Sequence, residues 1–333
     1  MAYIRQNFAD GKKLTAAELN HMEEGIENAL PKKGGDMEGP INMNGQTLSG
    51  LNTPVGDTEA ATKGYTLGLV KKAAPRNLLD NSDFTNPVNQ RGFVSGATVG
   101  SGDHFIDRWR ATGGSIIPTL DENGLTFLSN GIFQVFEQPD SFIGKTVTAA
   151  CKFSDGETLI CSGMVVENAS GWVYICGQTS GDRKIYFGAS GDNSWGIQIN
   201  CGGGTVQWVA LYKGEYTLDT LPEYQPKGYA AELLECQRYF LKLNNYVRYP
   251  STRLYSGEID FICPLPIQMR VTPTVSGQLD VYAGSVKQDG FTVIIAGVGG
   301  NALSFRAQKS GHGLTGADGL ALNTTDATLS ADL

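Results

Sequence analysis

The chain has 333 residues and a formal net charge of −8, with 18% charged residues, 43 glycines and six cysteines. Glycine is about 13% of the chain against about 7% in an average protein, and charge falls below the usual ~25%, a balance that favours β-strands and turns. An acidic chain with no Lys/Arg run longer than two is a poor nucleic-acid binder, and no apolar run is long enough to span a membrane.

The first residues, MAYIRQNFADGKK, have no apolar stretch of the kind a secretory signal needs, so synthesis and folding in the cytosol are expected. They read as an irregular arm. Thr15 and Glu18 then make a capping box, with Leu14 and Leu19 as its hydrophobic staple. Leu19, Met22, Ile26 and Ala29 follow the spacing of a heptad seam, and Pro31 ends the helix. At about sixteen residues this helix is marginal in isolation. Its apolar face must lie against a neighbouring surface or against other copies of itself.

From Gly34 to Val70 the chain reads GGDMEGPINMNGQTLSGLNTPVGDTEAATKGYTLGLV. Ile41 and Met43 alternate with asparagines, a second short apolar set follows at Leu48 and Leu51, and Asp57 is placed to cap a helix over residues 58–72. Two very short strands cannot bury a core by themselves. Several copies supplying one core, an intertwined shaft, is the physical reading.

These residues also carry a resemblance. Gly34-Gly35, Met37, Gly39, Ile41, Met43-Asn44-Gly45, Leu48, Leu51, Pro54 and Asp57 to Tyr65 resemble the shaft segment of phage tail fibres. Glu59 departs from that pattern, where a small residue is usual. Phe8 to Ile26 is similar, more loosely, to the start of tail and baseplate proteins from phages of Gram-positive bacteria. The resemblance implies a homotrimer, with Leu19, Met22, Ile26, Ile41, Met43, Leu48 and Leu51 as trimerisation contacts and a three-stranded bundle for the helix. It also implies attachment of the N-terminus to a virion baseplate or tail protein.

After the linker Lys71 to Arg76, the segment Asn77 to Gly92 is too rich in Asn, Asp and Pro for a regular element. It resembles the head of a β-sandwich module of phage tail proteins, followed here by Asp107-Arg108-Trp109. Trp109 reads as core beside Phe105 and Ile106. Nine short β-runs follow between residues 115 and 214, separated by Gly-containing turns, the pattern of a sandwich or jelly roll. Trp208 to Phe240 leads out of this domain, and its AELLECQRYF resembles the junction of fibres with their terminal domain. Leu233, Cys236, Phe240 and Leu243 are expected on one face of a connecting helix. The remaining chain is β again. Phe261 to Val275 resembles a terminal-domain motif in which Met269, Arg270 and Pro273 serve folding or trimer packing. From Gly311 onward no element is assigned.

Catalytic signatures are weak. Gly144-Lys145-Thr146 has the end of a phosphate-binding loop but Pro139 where its first glycine belongs, and Gly297 to Gly300 opens no helix. Glu137, Asp140, Asp155 and Glu157 are turn carboxylates best explained by solvation, although a glycosidase pair is assembled in space and not in sequence. Asp182 and Asp192 lie in turn-like stretches without a calcium-loop pattern. The histidines have no metal-ligand spacing, and no cofactor is expected. The cysteines sit in apolar runs and are expected to be free thiols. Exposed aromatics beside polar groups suit sugar binding: Asp192, Asn193 and Trp195 in one turn, and Tyr246, Arg248, Tyr249, Arg253 and Tyr255 in another stretch. The resemblance transfers none of these binding residues.

The expectation is therefore a mainly β chain: an N-terminal arm and helix (1–33), a trimeric shaft and linker (34–76), a jelly-roll-like sandwich (77–226), and a helical connector with a C-terminal β domain (227–333). Its expected role is adhesion to host-surface carbohydrate without catalysis, on a virion tail assembled in the host cytoplasm. The alternatives are a fibre-borne polysaccharide depolymerase and a purely structural collar or baseplate fibre.

Overall fold

A computed structural model describes residues 11, 13–27, 40, 42–55, 59–66, 75–136, 143–166, 171–177, 183–190, 194–243 and 248–332. The chain divides into two compact units, Met1–Thr62 and Lys63–Leu333.

In the first unit the helix α1 spans Ala16–Glu27. Its capping box forms as the sequence requires: the Thr15 N–H donates to Glu18 Oε2 at 2.9 Å and the Glu18 N–H donates to Thr15 Oγ1 at 3.3 Å. Two of the seam residues face solvent, Leu19 at 45% and Ile26 at 72% exposed, while Met22 is half-buried. Ala29, Pro31 and Ile41 lie outside the described residues. Asn44 and Gly45 both take positive φ in a turn closed by the Gln46 N–H on the Met43 carbonyl at 2.8 Å. The described residues from 42 to 55 form no strand, so the short strands expected there are not made within one chain. The helix expected over 58–72 is found in part: residues 63–66 are helical, 59–62 are not, and 58 and 67–72 lie outside the described residues. Residues 59–62 form a loop, and the Val55 N–H donates to Glu59 Oε2 at 2.7 Å. Helical backbone begins only at Lys63 in the second unit, and Asp57 lies outside the described residues.

The second unit is mainly β and antiparallel throughout its described strands. Its first part comprises β1 (His104–Ile106), β2 (Trp109–Thr112), β3 (Thr119–Asp121), β4 (Gly124–Thr126), β5 (Gly131–Val135), β6 (Thr146–Phe153), β7 (Thr158–Val165), β8 (Gly171–Gly177), β9 (Arg183–Ser190), β10 (Ser194–Cys201) and β11 (Thr205–Lys213). They form a six-stranded sheet in the order β1-β2-β5-β10-β9-β8 and a five-stranded sheet in the order β3-β4-β11-β6-β7. Trp109, Phe187 and Ile197 of the first sheet share one core with Val147, Phe153 and Val209 of the second. This is a sandwich-like pair of layers, each strand alternating sides along its length.

The irregular segment before β1 is pinned into this core by its own polar groups. The Asn81 amide donates to the carbonyls of Val88 and Asp107 and accepts from the Val88 N–H. The fully buried Trp109 donates its indole N–H to the Asn81 carbonyl at 2.7 Å and packs on Phe84. The cysteine expectation is corrected. Cys161 on β7 and Cys176 on β8 form a disulfide, while Cys151, Cys201, Cys236 and Cys263 are free and buried. The two strands end opposite sheets yet follow one another in the chain, which brings the two Cα atoms to 5.5 Å, within bonding range.

The connecting helix α2 is shorter than expected, Tyr229–Gln237, and buries Cys236. Phe240 starts the strand β12 (Phe240–Lys242), so Phe240 and Leu243 do not extend the helical face. The C-terminal part adds β13 (Arg248–Leu254), β14 (Glu258–Pro264), β15 (Thr274–Ala283), β16 (Val286–Gln288), β17 (Thr292–Gly299), β18 (Ala302–Gln308) and β19 (Leu320–Ser330). Their order is β16-β15-β19-β13-β14-β18-β17, with β12 also on β19. A second core gathers Phe261, Phe305, Leu322, Leu329 and Met269. Arg270 joins the connector to the chain end, its N–H on the Arg238 carbonyl and its Nε–H on the Ala331 carbonyl.

Candidate functional site

Among the residues suggested by sequence, Trp195 is 3% exposed and packs its ring at 5.3 Å from Phe187 in the sandwich core. Its place on β10 turns it inward, so it is a core residue and not a sugar platform. Asp192, Asn193 and Tyr246 lie outside the described residues. Tyr249 also turns inward from β13, and burial pushes its hydroxyl well above the ordinary tyrosine range. The remaining three do not make one cluster. Arg248 lies 5.2 Å over Tyr282 and donates to the Gly284 carbonyl, whereas Arg253 lies 5.6 Å over the half-exposed Tyr255. Five residues along a strand separate the two arginines by roughly 17 Å.

The carboxylates weighed as catalytic are likewise occupied or outside view. Arg183 holds Asp155 at 2.7 Å and also pairs with Glu157, while its guanidinium stacks 4.2 Å over Phe153. Glu137, Asp140 and Asp182 lie outside the described residues. A further acidic cluster, Asp80, Glu232 and Glu235, surrounds the Lys227 ammonium at 3.0, 3.8 and 2.5 Å. Arg108 and Arg76 also pair with Asp80 and Glu235. With a lysine held between the carboxylates, the cluster joins α2 to the sandwich and leaves no vacant ligand set for a cation.

The cavity that combines apolar wall with unused polar groups lies elsewhere. The loop between Arg91 and β1 folds into a cleft of about 490 Å³. Phe93 forms its wall, braced edge-on by the buried Phe105 at 5.2 Å, and Val94 is exposed beside it. Arg91 closes one end, donating two hydrogen bonds to Asp332 at 2.6 and 2.7 Å and stacking 4.0 Å over Phe240. Both bonds come from the one Nη2, and this charge-assisted pair ties the sandwich to residue 332. His104 is held mostly buried, 3.8 Å from Asp332. Burial, only partly opposed by Asp332, lowers its pKa to about 4, so the ring is neutral at pH 7.

Asp103 stands at the rim. The Gly100-Ser101-Gly102 turn places it, with the Asp103 N–H on the Gly100 carbonyl at 3.1 Å. Its carboxylate lies 2.5 Å from where a side chain at Gly100 would begin, so glycine there leaves it room. Sequence reading missed this cleft because its residues come from an irregular loop; the GSGD turn beside Phe93 was the available signal. Compared with known protein families, curated proteins and solved structures, the chain matches none.

Proposed function

We propose that the chain is a homotrimeric phage tail fibre or receptor-binding protein that adheres to host-surface carbohydrate without turning it over. One observation carries the reading: among the described residues of Met1–Thr62, none is buried. Leu19, Ile26, Leu48 and Val55 all face solvent in the single chain. Apolar groups at heptad and shaft spacing with no core of their own gain stability only by meeting further copies. The resemblance of residues 34–65 to fibre shafts supplies the count of three and the place of the N-terminus on a virion. The jelly-roll-like sandwich and the C-terminal β domain would then face the host. Three weak sites on one particle raise apparent affinity wherever they can engage together.

The test is adhesion. The full-length chain, fluorescently labelled, is expected to coat some strains in a panel of Gram-positive bacteria and to release no reducing ends from their polysaccharides. Uniform failure to coat cells favours a structural fibre. Released sugar favours a depolymerase.

A further inference from the structure

We propose that the cleft lined by Phe93, Val94, Asp103 and His104 is a binding site for a neutral saccharide. The inference rests on the adhesion reading above and places its sugar contact in the sandwich. It takes that contact away from Trp195 and from the two separate Arg–Tyr pairs of the C-terminal domain.

Three features select the ligand class. The first is size: the cleft is shallow and open, and its volume of about 490 Å³ is enough for a monosaccharide, although the cavity beside Asp80 and Glu235 is equally large. The second is the wall. A pyranose ring presents a face of C–H groups, and the half-buried Phe93 ring with the 70% exposed Val94 offers a matching apolar surface at one side of the cleft. Phe93 is held in place by Phe105, so little side-chain freedom remains to be lost on binding.

The third feature is charge. The Arg91 Nη2 is answered by Asp332 while its buried Nε has no partner, and the neutral His104 ring adds no charge. Asp103 accepts no side-chain hydrogen bond from any described residue, although its backbone groups are used in the turn. Its two oxygens are acceptors that adjacent sugar hydroxyls could fill together, and a charged acceptor makes the stronger bond. Of the two charged residues that line the cleft, Arg91 is paired with Asp332 outside it, so the charge left unanswered at the rim is that of Asp103. Uronic acids, sialic acids and phosphate-linked polymers would meet repulsion there, whereas uncharged hexoses and N-acetylhexosamines would not.

The experiment uses the full-length chain, with Asp103→Asn and Phe93→Ala as variants whose folding is checked by thermal melting. Asp103→Asn is nearly isosteric and lies on an exposed turn, so it keeps the measurement informative if Phe93→Ala melts early. Binding is read by interferometry on immobilised glucose, galactose, rhamnose and N-acetylglucosamine, and on sialic acid, glucuronic acid and poly(glycerol phosphate). Coating of whole bacteria is measured alongside. The expected result is saturable binding to at least one neutral sugar, weakened at least about tenfold by each substitution, or ~1.4 kcal/mol.

Equal binding by wild type and Asp103→Asn would overturn the site and leave adhesion standing. So would binding to anionic ligands only, or coating of bacteria with no immobilised sugar bound. Absence of both sugar binding and bacterial coating would defeat this inference and the adhesion reading together.

Discussion

Asp107 and His104 place two titrating groups at the foot of the sandwich, and acid acts on them in opposite directions. Asp107 is 1% exposed, and burial raises its carboxyl to about 6 even though Gln90 donates two hydrogen bonds to it. Its folded value lies above the ordinary 3.8, so the buried charge costs stability above pH 6. That gap corresponds to about 3 kcal/mol, and the cost is relieved as pH falls from 6 towards 3.8. For His104 the folded value of about 4 lies below 6.5. Its neutral form contributes fully above pH 6.5, and the contribution is lost as pH falls towards 4. In the native protein the two slopes offset one another. Asp107→Asn removes one of them. Because the asparagine amide can accept only one of the two Gln90 hydrogen bonds, the gain at pH 7 is offset, and we expect the variant's unfolding free energy to fall more steeply than wild type between pH 6.5 and 4. Urea melts at pH 7 and pH 4.5 decide this, and parallel profiles for the two proteins would refute it.

At the scale of elements, the C-terminal sheet depends on one irregularity. Gly277 has φ 89°, and a Cβ there would sit 2.3 Å from the Asp326 carbonyl oxygen on the paired strand. The register of β15 on β19 shifts at this point, between Ser276 and Gln278, and Asp326 itself takes φ 48°. Gly277→Ala should therefore cost more than about 1 kcal/mol, because alanine fits neither the dihedral nor the space. Hydrogen exchange is expected to quicken in residues 320–330 first. Unchanged exchange there would mean that the bulge is not what sets the register.

The same irregularity explains what the sequence concealed. Nine runs of the sandwich were legible because apolar residues alternate between glycine turns, and they correspond to β3 through β11. The capping box at Thr15 was equally plain. The central strand β19 was not, because Leu320, Leu322 and Thr324 are buried before the bulge but Ala327 and Leu329 after it. The alternation changes parity midway, and polar Asn323 and Thr324 are buried. Pairing of Cys161 with Cys176 follows from two sheets meeting at their ends, which spacing alone does not state. The aromatic-rich stretches drew attention as sites, yet Trp195 and Tyr249 serve the cores. The Phe93–Asp103 cleft is assembled from loop residues whose proximity only the fold supplies.

For the whole molecule the question is whether the N-terminal unit, Met1–Thr62, is a shared structure. Burial accumulates in two large cores and one small cluster within Lys63–Leu333, while no described residue of Met1–Thr62 is fully buried. An α-helix of 12 residues with Leu19 and Ile26 facing solvent is too short to persist alone in water. The most direct measurement is the solution mass of the chain by light scattering, with and without residues 1–76. The account predicts a mass three times that of the 35.6 kDa chain, with assembly weakened by the truncation. A monomer in both forms would contradict it.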